Sequence, residues 1–257
     1  MKIIIACCLI LMAQQVFGQH KAFHTQGVIE FEKRVNIYGL IKETMKKNPN
    51  STYLNQMFEE YQKHFPQFKS LKSTLIFGNN GQTLFTPEEV TVNVNDNFGN
   101  SPSVRQNNTI ATNTVAQTSV AQKKVYEELY LVKDSTRKIN WKITNEIRNI
   151  AGYDCRRANA LIMDSIYVVA FYTDEIPVSG GPESFSGLPG MILGVALPYE
   201  HTTWFATSVT PGPTTEDKLT APSKGKITNN SSLLEILKKA TKNWGDGAVD
   251  VLKALQL

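Results

Sequence analysis

The sequence predicts a mainly β protein: a single curved antiparallel sheet or half-barrel, covered by an inserted helix near residues 40–66 and a C-terminal helix. Three observations carry this expectation. Strand-like runs separated by short turns fill residues 124–173, a glycine-asparagine turn joins two more runs at 71–77 and 82–86, and helical periodicity is confined to two stretches. Connections that short place consecutive strands side by side and antiparallel.

Residues 27–36 open the sheet. Val28, Ile29, Phe31 and Val35 stand amid Glu30, Glu32, Lys33 and Arg34, an imperfect alternation that suits a strand with one wet face. In the inserted helix Ser51 is placed to cap, and Leu54, Met57, Phe58, Tyr61 and Phe65 recur every three to four residues before Pro66 stops the pattern. A stripe of that kind faces a core. Gly78-Asn79-Asn80-Gly81 then turns one hairpin strand into the next, glycine and asparagine supplying the positive φ angles.

Residues 93–122 are rich in Asn, Thr, Ser and Gln, which reads as a flexible polar segment, either a long exposed loop or a weak edge hairpin. Asn93, Asn95, Asp96 and Asn97 resemble a calcium loop only in part, because Phe98 stands where glycine is needed and no glutamate closes the ring. Strands follow at 124–132, 138–150, 153–163 and 165–173, separated by Asp134-Ser135, Ala151-Gly152 and Asp164. Gly187-Leu188-Pro189-Gly190 then forms a rigid bend, Pro189 fixing φ and Gly190 offering the positive φ of a type II turn, and residues 191–197 continue as a buried strand. After a strand at 203–209 and a proline-rich connection at 211–222, Ser232 and Glu235 fit a capping box. Leu233, Leu234, Ile236, Leu237 and Ala240 form its apolar stripe, and a second short helix starts at Asp246.

The first 18 residues have the form of an export signal: Lys2, an apolar run from Ile3 to Met12, and small residues before Gln19. The run is too short for a membrane span and no later segment approaches that length, so the mature chain, 19–257, is expected as one domain not integral to the membrane. Cys7 and Cys8 leave with the signal. That leaves Cys155 alone, so no internal disulfide can form in the mature chain and packing must supply the stability. Removing Lys2 from 27 basic side chains leaves 26 against 23 acidic ones, a formal +3 with no basic block, and no nucleic-acid-binding pattern is present.

Trp141-Lys-Ile143, Ile150-Ala-Gly152-Tyr153-Asp-Cys155-Arg-Arg-Ala158, Ala170-Phe-Tyr172-Thr173, Ile176-Pro177-Val178, Gly181-Pro182 and Gly187-Leu188-Pro189-Gly190-Met191-Ile192-Leu193 occur in that order. Together they resemble the GLPGLI family of exported Bacteroidota proteins, and Gly27-Val-Ile-Glu-Phe31 matches that family's opening strand. Met191 replaces the leucine of the name motif, a volume-conserving change, and Gly194 stands where an acidic residue is common. The resemblance implies a structural role for the motif residues, no cofactor, no established activity and no catalytic residues, with an association to outer-membrane transporters as the partner it points to. The strand meander is also similar in outline to half-barrel lipoprotein carriers.

Each chemical reading of single residues competes with a plainer one. Cys155 as a nucleophile would need a base, His201 foremost, whereas a free cysteine is usually a small buried hydrophobe. Ser179, Ser184 and Ser186 lie in the glycine-rich loop, but a nucleophile elbow needs a strand-turn-helix context that is missing here. His20 and His24 share a spacing that could hold a metal on a helix, without a third ligand. Asp174, Glu175 and Glu183 read as solvated rim charges. The leading expectation is therefore a non-enzymatic binding or accessory protein of the cell envelope or periplasm that offers Ser179, Glu183 and Ser186 on an exposed loop. Two alternatives stay open: a carrier of an apolar ligand in a curved sheet, and a hydrolase using Cys155 or a loop serine.

Overall fold

The computed structural model describes residues 23–105, 108–245 and 247–257; the expected signal peptide with Cys7 and Cys8, His20, and Asp246 lie outside the described residues. Strands β1 (Gly27–Asn36), β2 (Phe68–Phe77), β3 (Gln82–Pro87), β4 (Asn108–Asn113), β5 (Thr118–Val125) and β6 (Glu128–Ser135) make one wing of a sheet. The other wing is β7 (Lys142–Ile150), β8 (Tyr153–Ile162), β9 (Ile166–Thr173), β10 (Met191–Leu197) and β11 (Thr202–Pro211), and a short β12 (Lys226–Thr228) lies beyond β6. The order is β12-β6-β5-β4-β3-β2-β1-β11-β10-β9-β8-β7, antiparallel throughout except for the parallel β12–β6 pair. The mainly β architecture is thus as expected. One long-range join makes it: β1 pairs with β2 on one side and with β11 on the other.

Period-two alternation decides which side chains face inward. In β1, Ile29, Phe31, Lys33 and Val35 are all buried, and the neighbours between them are more exposed. Ile110 of β4, Ala121 and Val125 of β5, and Trp204 and Ala206 of β11 join the same core. Full burial of each large apolar side chain contributes roughly 1.5–3 kcal/mol, so this single cluster can support the chain without covalent staples.

The inserted helical region is two helices, not one. Asn36 ends β1 and caps α1 (Ile37–Lys47), its side chain accepting from the Gly39 N–H at 3.0 Å. Asn48-Pro49-Asn50 interrupts the helix because proline cannot continue the hydrogen-bond ladder, and Ser51 caps α2 (Thr52–His64) by accepting from Leu54 at 3.3 Å. Phe58 and Tyr61 of the expected stripe pack with Ile37, Ile41, Val35 and Val104 in a satellite cluster. Tyr61 also donates to Asp96 at 2.8 Å, and Asp96 accepts from Lys69 at 2.9 Å and from the Gly99 N–H at 2.7 Å. Burial alone would raise the Asp96 carboxyl, but these three donors hold it below the ordinary value. The stretch that resembled a calcium loop is therefore a tie between α2, β2 and the turn before α3 (Pro102–Arg105).

Residues 93–122 differ most from expectation. β4 and β5 are interior strands of the sheet, not an exposed loop or an edge. Their Asn, Thr and Ser side chains mark a mostly polar outer face, while Asn108 and Ile110, and Ala121, Lys123 and Val125, point inward. The expected strand at 124–132 is broken at Tyr126, whose φ of +53° turns β5 into β6. At the C-terminal end α4 (Asn230–Ala240) starts one turn earlier than the capping-box reading: Asn229, not Ser232, is the cap and accepts from the Ser232 N–H at 2.8 Å. α5 (Gly247–Gln256) follows. Among the described residues no helix is long and apolar enough to cross a membrane.

Candidate functional site

The loop between β9 and β10, residues 174–190, turns inward. Gly181, Pro182, Glu183, Ser186, Leu188 and Gly190 are buried, and only Pro177, Gly187 and Pro189 among the motif residues of this loop are exposed. Close packing holds it there: a Cβ on Gly181 would stand 2.7 Å from the Phe185 carbonyl oxygen and 2.8 Å from Ile192. Trp141 donates its indole N–H to the Ser186 carbonyl at 2.9 Å, Ser179 Oγ accepts from Gly187 at 3.1 Å, and Ser184 Oγ donates to the Leu257 carbonyl at 2.8 Å. The three serines are thus part of the loop's own fastening.

The bend itself departs from a type II turn. Met191 N donates to the Ile176 carbonyl at 3.0 Å, and Gly190 N closes a tighter turn on the Leu188 carbonyl at 2.8 Å, with Gly190 at φ +148°. Glycine is still required, since a Cβ there would lie 2.1 Å from the Thr173 carbonyl oxygen.

Burying this loop delivers Glu183 to the concave face of the sheet, where it was expected at the rim. Its backbone is left-handed, φ +51°, and its Oε2 accepts from Asn108 Nδ2 at 3.0 Å. Asn108 lies directly opposite Lys123 across the β4–β5 pair, and Lys33 lies opposite Trp204 across β1–β11. Four strands, β3, β2, β1 and β11, lie between β4 and β10, so the Glu183–Asn108 bond is made across a sheet that curls around the loop. Lys33, Lys123 and Glu183 are all deeply buried, at 7%, 4% and 7% exposure.

Their electrostatics follow from that burial. Desolvation pushes both lysines down, Lys123 to about 8, while the Glu183 charge opposes the shift in each. Desolvation likewise pushes the Glu183 carboxyl up, against Lys33, the Asn108 amide and Lys123. Lys123 has a further anchor, donating to the Leu255 carbonyl at 3.3 Å, and Arg137 donates to Gln256 at 2.5 Å. Both cations thus sit at the negative end of α5, where the helix dipole favours them. Lys33 has no such anchor. Among the described residues no carboxylate lies within 4.0 Å of its ammonium, which stands 5.1 Å from the centre of the Trp204 ring.

A cavity of about 380 Å³ opens onto this cluster. Lys33, Glu183, Asn108 and Trp204 line its floor; Ile37, Leu40, Phe98, Leu197 and Ala254 form apolar walls contributed by α1, the turn before α3, β10 and α5. At the mouth Lys253 of α5 pairs with Glu200 at 3.8 Å, and Glu43 of α1 pairs with Lys46 at 2.7 Å and His201 at 3.7 Å. The Trp204 indole nitrogen is buried without a hydrogen-bond partner, although an indole N–H in a protein interior ordinarily has one.

Cys155 and His201 are not brought together. Arg156, next to Cys155, is level with Tyr172 and Ile192, whereas His201 follows Leu197 past the opposite end of β10. Five residues of strand separate those levels, roughly 17 Å. Cys155 is fully buried, its thiol donates to the Tyr153 carbonyl at 3.5 Å, and burial followed by the Asp154 and Glu175 charges pushes it up to about 12. Iodoacetamide at pH 8 is expected to leave Cys155 unmodified in the native protein and to alkylate it fully in guanidinium. Labelling of the folded protein within minutes would contradict the buried placement. His24 meets Tyr153 edge to face at 6.3 Å, and no group of three or more metal-ligating side chains gathers among the described residues.

The sequence did hold a signal for the buried lysines. Lys33 shares the parity of Ile29, Phe31 and Val35, and Lys123 that of Ala121 and Val125, so strict alternation places both inside. Glu183 has no such signal, because a loop has no period.

Residues 161–194, which include the glycine-proline bend, match the model of a family described as a protein of unknown function (Porph_ging). No curated protein matches the sequence. Two solved structures of PNGF-II, in the P21 and C2 space groups, are similar at 16% and 14% identity with TM-scores of 0.49 each, over 82% of this chain. The chain spans about a third of their length, 33% and 32%.

Proposed function

We propose that this chain is an exported, non-enzymatic binding protein of the GLPGLI family that holds one small ligand in the cavity beneath α1 and α5, in the service of an outer-membrane transport system. The observation that carries the proposal is the cavity itself, into which the deeply buried Lys33 ammonium is set with no carboxylate within 4.0 Å. A buried donor without an acceptor costs about 1–3 kcal/mol, more when charged, and a ligand acceptor would recover that cost. At about 380 Å³ the cavity lies in the size range of small-molecule sites, and its lining mixes apolar side chains such as Ile37, Leu40 and Leu197 with polar and charged ones. The inward-facing motif loop favours a ligand inside the fold over a partner on the loop. A hydrolase based on Cys155 and His201 has no support from their placement.

Native mass spectrometry of the protein purified from an exporting host tests the proposal. The wild type is expected to carry a small-molecule adduct that is released on unfolding, and Leu40→Trp, which fills one cavity wall, is expected to lose the adduct while keeping its circular dichroism. Equal loading of the two proteins, or no adduct on either, would overturn it.

A transport partner would have its own surface. β7 is an outer strand of the sheet, with Ile143 and Ile147 exposed and Leu161 of β8 exposed beside it. Unpaired strand edges accept further strands, so this edge is the place to look for the envelope partner.

A further inference from the structure

Resting on that binding proposal, we infer that the cavity takes an aldehyde with an apolar body and that Lys33 holds it covalently, as an imine on Nζ, with Glu183 as the proton partner and Ile37, Leu40 and Leu197 against the body.

Placement singles out Lys33. Its parity sets it among Ile29, Phe31 and Val35, and across the sheet it stands opposite Trp204 of β11 and Leu71 of β2, both buried. Among the described residues its ammonium has neither a hydrogen-bond acceptor nor a carboxylate within 4.0 Å. The buried side-chain atoms sealed off without a partner are Ser73 Oγ, His201 Nε2 and Trp204 Nε1, so the Lys33 nitrogen, which is not one of them, opens to the cavity that its side chain lines. The other buried lysine, Lys123, is bonded to the Leu255 carbonyl and does not line this cavity, and Lys253 at the mouth is paired with Glu200.

The chemistry follows from the neighbourhood. Burial weakens the hold of Lys33 on its proton and strengthens that of Glu183, while the opposite charge of each works against the shift of the other. The pair is thus displaced toward amine and carboxylic acid, the forms that imine formation uses. The Nζ lone pair attacks the carbonyl carbon, a C–N bond forms, and the carbonyl oxygen gains the proton that the nitrogen gives up. Glu183 then protonates the resulting hydroxyl, which leaves as water, and the nitrogen lone pair closes the C=N bond. One aldehyde and one amine become one protonated imine and one water, with nothing oxidised or reduced. Glu183, now a carboxylate, faces the iminium as it faced the ammonium. Water entering on unfolding reverses the step, so the ligand is released then, as the binding proposal expects.

Reductive labelling of the full protein tests the inference. One equivalent of hexanal is added at pH 7 with sodium cyanoborohydride, which reduces an imine to a stable secondary amine, and the label is mapped by peptide mass spectrometry. The alkyl group is expected on Lys33 about tenfold or more above any other lysine, the gain that a positioned acid and a desolvated amine give. The same treatment in guanidinium is expected to spread the label evenly. Lys33→Met is expected to lose the dominant site, and Leu40→Trp to lower the labelling of Lys33 and of no other lysine. The wild-type map needs no variant, so it decides the matter even if Lys33→Met fails to fold. Label shared evenly among exposed lysines of the native protein, or Lys33 labelled only in guanidinium, would overturn the inference. Loss of the co-purified adduct in Leu40→Trp, together with an unlabelled Lys33 in the wild type, would keep the broader binding proposal and refute this one.

Discussion

Replacing Glu183 with glutamine is expected to lower the stability of the protein by about 3–5 kcal/mol at pH 7, the cost of leaving buried charges without their counterpart. Glutamine keeps the size of the side chain and the bond to Asn108, so the loss isolates the charge. Urea unfolding at several pH values reads it. In the wild type Lys123 is held at about 8 against 10.5 for the free side chain, so between these values the unfolded chain binds more protons than the folded one. Its contribution to stability therefore rises with pH from about 8 to 10.5 and is lost as pH falls through 8. Lys33 is shifted in the same direction, and Glu183, raised by burial, favours the folded state less as pH climbs above 4.5. The deficit of Glu183→Gln should consequently be largest near neutrality and shrink above pH 8, where the lysines can shed their charge. The triple change Lys33→Met, Lys123→Met, Glu183→Leu should cost little or even stabilise, as apolar replacement of buried ion clusters commonly does. A glutamine variant as stable as wild type at pH 7 would mean that Glu183 is no counter-charge.

Gly190→Ala is expected to be the most damaging small substitution in the motif, costing roughly 3 kcal/mol or more and lowering the melting temperature by at least about 6 °C. A φ of +148° is closed to residues with a Cβ, and that Cβ would stand 2.1 Å from Thr173 O, 2.8 Å from Thr173 C and 3.1 Å from Asp174 Cα. All three are backbone atoms that belong to the end of β9 or its first loop residue, so relief would mean separating the loop from the strand. Gly187, at φ +93° but with only the Trp141 ring nearby at 3.7 Å, should show strain alone, about 1–2 kcal/mol. Gly212→Ala, with nothing within 4 Å, should be close to neutral. Calorimetric scans of the three variants give the order, and a Gly190→Ala protein melting with the wild type would refute the proposed backbone constraint.

The scaffold was readable because apolar periodicity reports burial directly. β1, the β2–β3 hairpin and β8 to β10 stand where alternation or unbroken apolar runs place them. β4 and β5 escaped because their outward positions are mostly Asn, Thr, Ser and Gln, and the inward ones include Asn108 and Lys123. Polar residues inside a sheet look like a loop until the partners that satisfy them are known. The same cause hid the site: the polar part of its floor is Lys33, Asn108 and Glu183, with Lys123 beside Asn108, residue types that sequence patterning assigns to solvent. The bend at Pro189 was readable as a constraint on shape, but not as a turn type, since the Ile176 carbonyl that receives the Met191 N–H is distant in sequence. What the bend holds is a loop that carries a carboxylate into the core, which no local rule could have shown.

A crystal structure of the protein purified without detergent from an exporting host tests the central claim most directly. The account predicts a bound molecule between α1 and α5, inside the cavity lined by Lys33, Leu40 and Leu197. A cavity occupied by water alone would contradict it.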